Sequence, residues 1–218
     1  MFAGALFDLD GTLLDSESYI RGAYVVVLAR RRHDFSAFDY DSILGLPDRT
    51  AVQTVLTHYG LADEPDAFYA EWKVVAEDLV ERYAAPCLGA WEVLERFRAE
   101  RIPMGVATSS PEPYMIRMLM KCNFLQLFKA TRSVDSIGRA RGKPKPDIYL
   151  EAAKDIGIDP GDCIGFEDAP AGVAALKAAG MFAVGIAASP STAGRLIDEG
   201  ADIVVPNLLN FDWNAIHK

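Results

Sequence analysis

An apolar run that breaks into two carboxylates and a glycine constrains this chain more than any other feature: Ala5-Leu6-Phe7-Asp8-Leu9-Asp10-Gly11-Thr12-Leu13-Leu14-Asp15-Ser16. Residues i and i+2 of a strand point to one side, so Asp8 and Asp10 start close together, and leaving the strand at Gly11 lets their geometry differ. Two like charges so placed need a remedy. One carboxyl keeps a proton, or a hard divalent cation sits between them, for which oxygen-only ligation suits Mg²⁺. Taken alone, the stretch reads equally well as a strand ending in an Asp-Gly turn, with Asp10 as a turn residue.

The rest of the chain supplies the context. Phe2 to Leu9 reads as a central parallel strand covered on both faces. From Glu17 the period changes: Ile20, Ala23, Tyr24, Val27 and Leu28 mark one helix face, with Asp15 or Ser16 as its cap. Val52, Val55, Leu56 and Tyr59 mark a second, and Phe68, Trp72, Val75, Ala76, Leu79 and Tyr83 a third that begins after Pro65. Short turns at Gly45-Leu46-Pro47 and Gly60-Leu61-Ala62 fit antiparallel neighbours, so the pattern predicts a helical bundle inserted after the first strand. After Pro86 helix and strand alternate, with strands at Ile102 to Ala107, Phe128 to Val134, Cys163 to Phe166, Phe182 to Ala187 and Ile203 to Val205. The expected architecture is α/β: a doubly wound, Rossmann-like parallel sheet built from residues 1–15 and 84–218, with residues 16–83 as an inserted α-helical cap. A ligand site in such a fold lies beyond the strands' carboxyl ends.

Composition narrows the partners. With 218 residues, 50% of them apolar, the chain can bury a sizeable core. No apolar run approaches the roughly 20 residues of a membrane span, and the start lacks a basic segment followed by a cleavable apolar one, so a cytoplasmic location is expected. Cys87, Cys122 and Cys163 are widely spaced without a CxxC pair and read as free thiols. A net charge of −9 argues against nucleic acid and anionic membrane as partners. A small anionic substrate is compatible if it meets local cations, for which Arg49, Lys73, Lys143 and Lys145 are available. The three histidines have no partner at metal or triad spacing and are assigned no role.

Four polar clusters fall where strands or loops should open onto one edge of the sheet: Asp8/Asp10, Thr108-Ser109-Ser110, Gly142-Lys143-Pro144 and Glu167-Asp168. Thr108 with its adjacent backbone N–H groups suits phosphate oxygens, and suits a helix cap equally well. Lys143 is either a solvated lysine or a fixed ammonium able to neutralise phosphate and Asp8 together. Asp168 caps the following helix, or joins Asp8 and Asp10 in an octahedral oxygen set for Mg²⁺.

These four clusters together resemble the motifs of the haloacid dehalogenase superfamily of phosphotransferases. Asp8-Leu9-Asp10-Gly11-Thr12-Leu13-Leu14-Asp15 matches the first, Thr108 the second and Gly142-Lys143-Pro144-Lys145-Pro146-Asp147-Ile148-Tyr149 the third. Gly165 to Gly172 matches the fourth as found in the β-phosphoglucomutase and sugar-phosphate phosphatase branch. The resemblance implies that Asp8 is a nucleophile that takes up phosphate and that Asp10 is the general acid/base. It implies that Thr108, Ser109 and Lys143 hold the phosphate, and that Asp8, Asp10 and Asp168 ligate Mg²⁺, with Glu167 ligating directly or through water. A cap would close over the site and read the remainder of the substrate, with Arg49 touching it. The expected activity is Mg²⁺-dependent hydrolysis of a small phosphorylated metabolite, by a monomer, through an aspartyl-phosphate. The alternatives are a phosphosugar mutase and a non-catalytic binding protein on the same fold; dehalogenation has no use for Asp10 or the metal acids. Ile20 stands where the mutases carry a histidine, which favours the phosphatase.

Overall fold

The computed structural model describes every residue except Met1, Leu44, Gly45, Pro47, His217 and Lys218. The expected turn at Gly45-Leu46-Pro47 and the terminal His217 therefore lie wholly or partly outside the described residues. The chain forms β1 (Gly4–Phe7) and the short β2 (Leu14–Asp15), then three long helices, α1 (Glu17–Arg30), α2 (Asp48–Tyr59) and α3 (Pro65–Tyr83), before β3 (Ala85–Pro86). Helix and strand then alternate through α4 (Ala90–Ala99), β4 (Met104–Thr108), α5 (Glu112–Lys121), β5 (Ala130–Ser133), α6 (Val134–Ile137) and α7 (Asp147–Ile156). The series ends with β6 (Cys163–Glu167), α8 (Pro170–Ala178), β7 (Phe182–Ile186), α9 (Pro190–Asp198) and β8 (Ile203–Val205). Two compact units result, one of Met1–Leu14 with Ala85–Lys218, the other of Asp15–Ala84.

The first unit is built on a six-stranded parallel sheet of order β5-β4-β1-β6-β7-β8. The chain steps from β1 outward to β4 and β5, then returns to the other side of β1 for β6, so the order reverses at β1 itself. Every residue of β1, β4 and β6 is buried, which is why these strands read as continuous apolar runs and not as alternating ones. On one face Phe7 stacks on Phe166 with ring centroids 4.7 Å apart, and Phe97 meets both edge-on. The other face packs Leu6, Ala107 and Cys163 against Tyr149, Ala152 and Ile156 of α7. The methionine stripe of α5 is core, with Met115 and Met118 fully buried. Of the cysteines, Cys122 and Cys163 are buried and Cys87 only half so, and none of the three is in a disulfide.

The second unit packs α1, α2 and α3 around Tyr24, Val27, Leu28, Val52, Val55, Phe68 and Trp72. Two short 3₁₀ turns, Phe35–Ala37 and Tyr40–Ser42, join α1 to α2. In α3 the inward stripe runs from Ala76 to Val80, leaving Tyr83 at 57% exposure, because the step of four keeps the stripe on one side of the helix. Ser16 occupies the cap position of α1 but makes no capping bond through its side chain. No helix among the described residues is long and apolar enough to cross a membrane.

Candidate active site

Strand register delivers the acids. Phe7 lies opposite both Val106 and Phe166, so the next residue along each strand, Asp8, Ala107 and Glu167, arrives at one level of the sheet edge. The Asp8 backbone N–H donates to Phe166 O at 3.0 Å, holding Asp8 in line with β6 past the last residue of β1. The chain then turns sharply: Leu9 O accepts from the N–H groups of both Leu13 and Leu14, with Gly11 at φ +78°. Asp8 is 6% exposed, Thr108 1% and Glu167 1%, so these polar groups sit inside the protein fabric.

Lys143, from the loop before α7, reaches this edge with a side chain 6% exposed. Its Nζ donates to Asp8 Oδ1 at 2.5 Å, Glu167 Oε1 at 2.6 Å and Ala107 O at 2.9 Å. Burial opposes its charge, but Asp8 and Glu167 outweigh burial and hold the ammonium firmly protonated. Tyr149 Oη adds a second donor to Glu167 Oε1 at 2.5 Å. Burial also drives Asp8 well above the usual carboxylate range; Lys143 offsets this only in part, and Glu167 and Asp10 add to the rise.

Among the described residues, Asp8, Glu167 and Asp168 each offer a carboxylate oxygen, all within 4.8 Å of one another. An all-oxygen donor set of this size fits a hard divalent cation. Two glycines keep room for two of these carboxylates. A Cβ at Gly11 would lie 1.9 Å from Asp168 Oδ2, and one at Gly172 would lie 1.9 Å from Glu167 Oε1. Gly172→Ala is therefore expected to raise the Mg²⁺ concentration needed for half-maximal activity by ~10–100-fold, as loss of ligand support does in metal sites. An unchanged Mg²⁺ titration would show that Glu167 is not held where the cation binds.

Asp10 faces two hydroxyls. Its carboxylate accepts from Ser110 Oγ at 2.6 Å and Tyr114 Oη at 2.7 Å and lies outside the three-acid group. Thr108 ends β4, and its Oγ1 accepts from Ser110 N at 3.0 Å and caps no helix; the cap position of α5 is Pro111. Asp168 is likewise not the cap of α8, a position held by Ala169. Ser109 is exposed at the same edge. Arg49 belongs to the helical unit, where it pairs with Asp66 and lies 5.1 Å from the Tyr69 ring centre. Lys73 pairs with Glu77 one turn on.

The contacts of the Tyr149, Tyr114 and Ser110 hydroxyls are not among the sequence expectations. Tyr149 closes the third motif there, with no contact assigned to its side chain. The hydroxyl was the available signal, since a phenol on a buried face needs a partner.

A buried ammonium set against a three-acid oxygen cluster at the switch point of a doubly wound sheet defines a class. The chain belongs to the haloacid dehalogenase-like hydrolases, whose family model matches residues 2–180. It is 34% identical to validoxylamine A 7'-phosphate phosphatase of Streptomyces hygroscopicus subsp. limoneus, over 99% of both chains. It is 29% identical to the β-phosphoglucomutase of Bacillus subtilis, over 98% of this chain and 93% of that one. Among solved structures it resembles a HAD family hydrolase of Deinococcus radiodurans R1 with bound phosphate and sodium, at TM-score 0.81 and 28% identity, covering 95% and 92% of the two chains.

Proposed function

We propose that this enzyme hydrolyses small phosphomonoesters of sugar-phosphate type, with Asp8 as nucleophile and Asp10 as proton carrier. The observation that carries the reading is the Lys143 ammonium held between Asp8 and Glu167, 135 and 24 residues away in sequence, beside the three-acid cluster. In the first step an Asp8 oxygen bonds to phosphorus as the ester P–O bond breaks, and Asp10 gives its proton to the leaving oxygen. In the second, Asp10 takes a proton from water, the new hydroxide bonds to phosphorus, and the aspartyl P–O bond breaks to release inorganic phosphate. Lys143 fixes the attacking carboxylate and offsets charge on the transferring group, while Thr108 and the Ser109 backbone offer donors to its oxygens. Ser110 and Tyr114 orient Asp10. Asp8, Glu167 and Asp168 would hold Mg²⁺, which would supply positive charge favouring the ionised, nucleophilic form of Asp8 against the effect of its burial.

The test is phosphate release from sugar phosphates, nucleoside monophosphates, glycerol phosphate and phosphoglycolate, with Mg²⁺ and in excess EDTA. Turnover that survives EDTA sinks the reading. A mutase remains the second reading because of the β-phosphoglucomutase relative. Supplying β-glucose 1-phosphate with a trace of the 1,6-bisphosphate separates the two, since rapid isomerisation with little phosphate released would favour the mutase.

Metal and proton compete for the same carboxylate, and the sign of the effect follows. With Asp8 raised above its unfolded value, the cation-free fold binds a proton at this group more readily than the unfolded chain does. Stability from this group is present at low pH and lost as pH rises through the raised pKa. The rise in melting temperature on adding Mg²⁺ is therefore expected to be smaller at the acid end of the folded range and to grow as pH rises through the raised Asp8 pKa. Equal Mg²⁺ shifts at both ends would show that Asp8 is not a ligand.

A further inference from the structure

The helical unit has a cavity of its own, made entirely of residues between 15 and 84. Glu17, Ile20 and Tyr24 of α1, Tyr40 of the following turn, Asp48 at the start of α2 and Trp72 of α3 help to line it. Counted with its open mouth, and so including open solvent, it spans about 370 Å³.

Its chemistry is selective. Three aromatic rings gather there, with Tyr24 centred 5.1 Å from Trp72 and 6.4 Å from Tyr40. Two carboxylates share the lining: Glu17 Oε2 accepts from Tyr40 Oη at 2.9 Å, and Asp48 Oδ2 lies 3.4 Å from Tyr69 Oη. Their field reaches the lining phenols. Burial first, then Asp48 and Glu17, hold the Tyr24 hydroxyl well above its ordinary range, and burial with Glu17 does the same to Tyr40. Of the nearby cations, Arg21 is exposed with its guanidinium 5.9 Å from the Tyr40 ring centre and offsets part of that field at Tyr40, and Arg49 pairs with Asp66. Trp72 is 5% exposed, and its buried indole N–H meets no acceptor among the described residues.

These features reject most ligands. An anionic group is repelled by the two carboxylates, and a hydrocarbon leaves the indole N–H unpaired. A cation is drawn both by the carboxylates and by the electron-rich ring faces, while a hydroxyl oxygen satisfies the indole. We propose that this cavity is a binding site for a protonated amine carried on a hydroxylated ring, with Glu17 and Asp48 taking the amine and Trp72 Nε1 donating to a hydroxyl. Such a group reaches the protein either as part of its substrate or as a free effector.

The probe is glucosamine, with glucose as its charge-free match, titrated into the ¹⁵N-labelled full-length chain. Three tryptophans give three indole N–H signals, and Trp72→Phe identifies the one in question. Glucosamine is expected to move that signal saturably, with glucose binding at least ~10-fold more weakly. Glu17→Gln and Asp48→Asn should each weaken glucosamine several-fold, leave glucose unchanged, and keep the remaining spectrum, which shows that the variants fold. Equal response to both sugars, or a stationary Trp72 signal under glucosamine, overturns the proposal. The titration needs no turnover, so it stands apart from the phosphatase reading. The source follows from kinetics: a preference for glucosamine 6-phosphate over glucose 6-phosphate that Glu17→Gln erases marks a substrate group. A rate on glucose 6-phosphate altered by added glucosamine marks an effector.

Discussion

Asp8→Asn is expected to stop phosphate release, with kcat falling at least ~10⁴-fold, in the range seen when a covalent nucleophile is removed. A carboxamide neither attacks phosphorus nor carries the phosphoryl group, yet it matches the carboxylate in size. The fold should tolerate it. Asp8 is 6% exposed and its charge is disfavoured by burial, so a neutral replacement relieves a cost while Lys143 keeps Glu167 and Ala107 O as acceptors. Melting in EDTA should thus be no lower than for the native chain. Near-native turnover by a purified, folded Asp8→Asn sample would remove the nucleophile assignment.

Lys143→Ala carries the second large effect, set against Lys145→Ala two residues on. Lys143 is buried between two carboxylates, whereas Lys145 is exposed and donates to Ala140 O in its own loop. Deleting the first leaves Asp8 and Glu167 facing each other without their counter-charge, a kind of loss that typically costs ~3–5 kcal/mol in buried pairs. Loss of charge stabilisation at the transferring group should also lower kcat by ~10²–10³-fold. Lys145→Ala should leave kcat within about 2-fold, as surface lysines usually do. Comparable losses in the two variants would show that the lysine has been placed in the wrong register.

Much of this architecture was readable from pattern because it follows from burial. Strands covered on both faces must be apolar until they leave the sheet, so the places where polarity begins, Asp8, Thr108 and Glu167, mark its carboxyl edge. Lys143 was legible through its Gly and Pro neighbours. What stayed hidden were contacts made by hydroxyls whose helix position looked ordinary. Tyr114 precedes the buried Met115, and nothing in that spacing says its Oη reaches Asp10, 104 residues away. Tyr149 lay on the correct face, but its bond to Glu167 depends on how far α7 reaches along the sheet, which periodicity does not encode. The geometry of Asp10 was hidden for a related reason: an i, i+2 rule applies inside a strand, and Asp10 has already entered the Gly11 turn.

The placement of β1 also has a bearing on how the enzyme comes into being at the ribosome. The strand that leads into Asp8 is made before every other strand of its sheet, yet its two neighbours, Met104–Thr108 and Cys163–Glu167, come far later in the chain. At ordinary elongation rates it waits roughly 10–30 s for the second of them. During that interval the three helices of residues 15–84 have emerged and can already collapse around Trp72, so the nascent chain carries a finished appendage on an unfinished scaffold. Nascent chains halted before Cys163 should hold that helical piece protected from protease while the Ala5-Leu6-Phe7 run is still open to cleavage and to chaperone capture. Catalytic competence then arrives in a single late event, when Cys163–Glu167, the second parallel partner, pairs with the first strand.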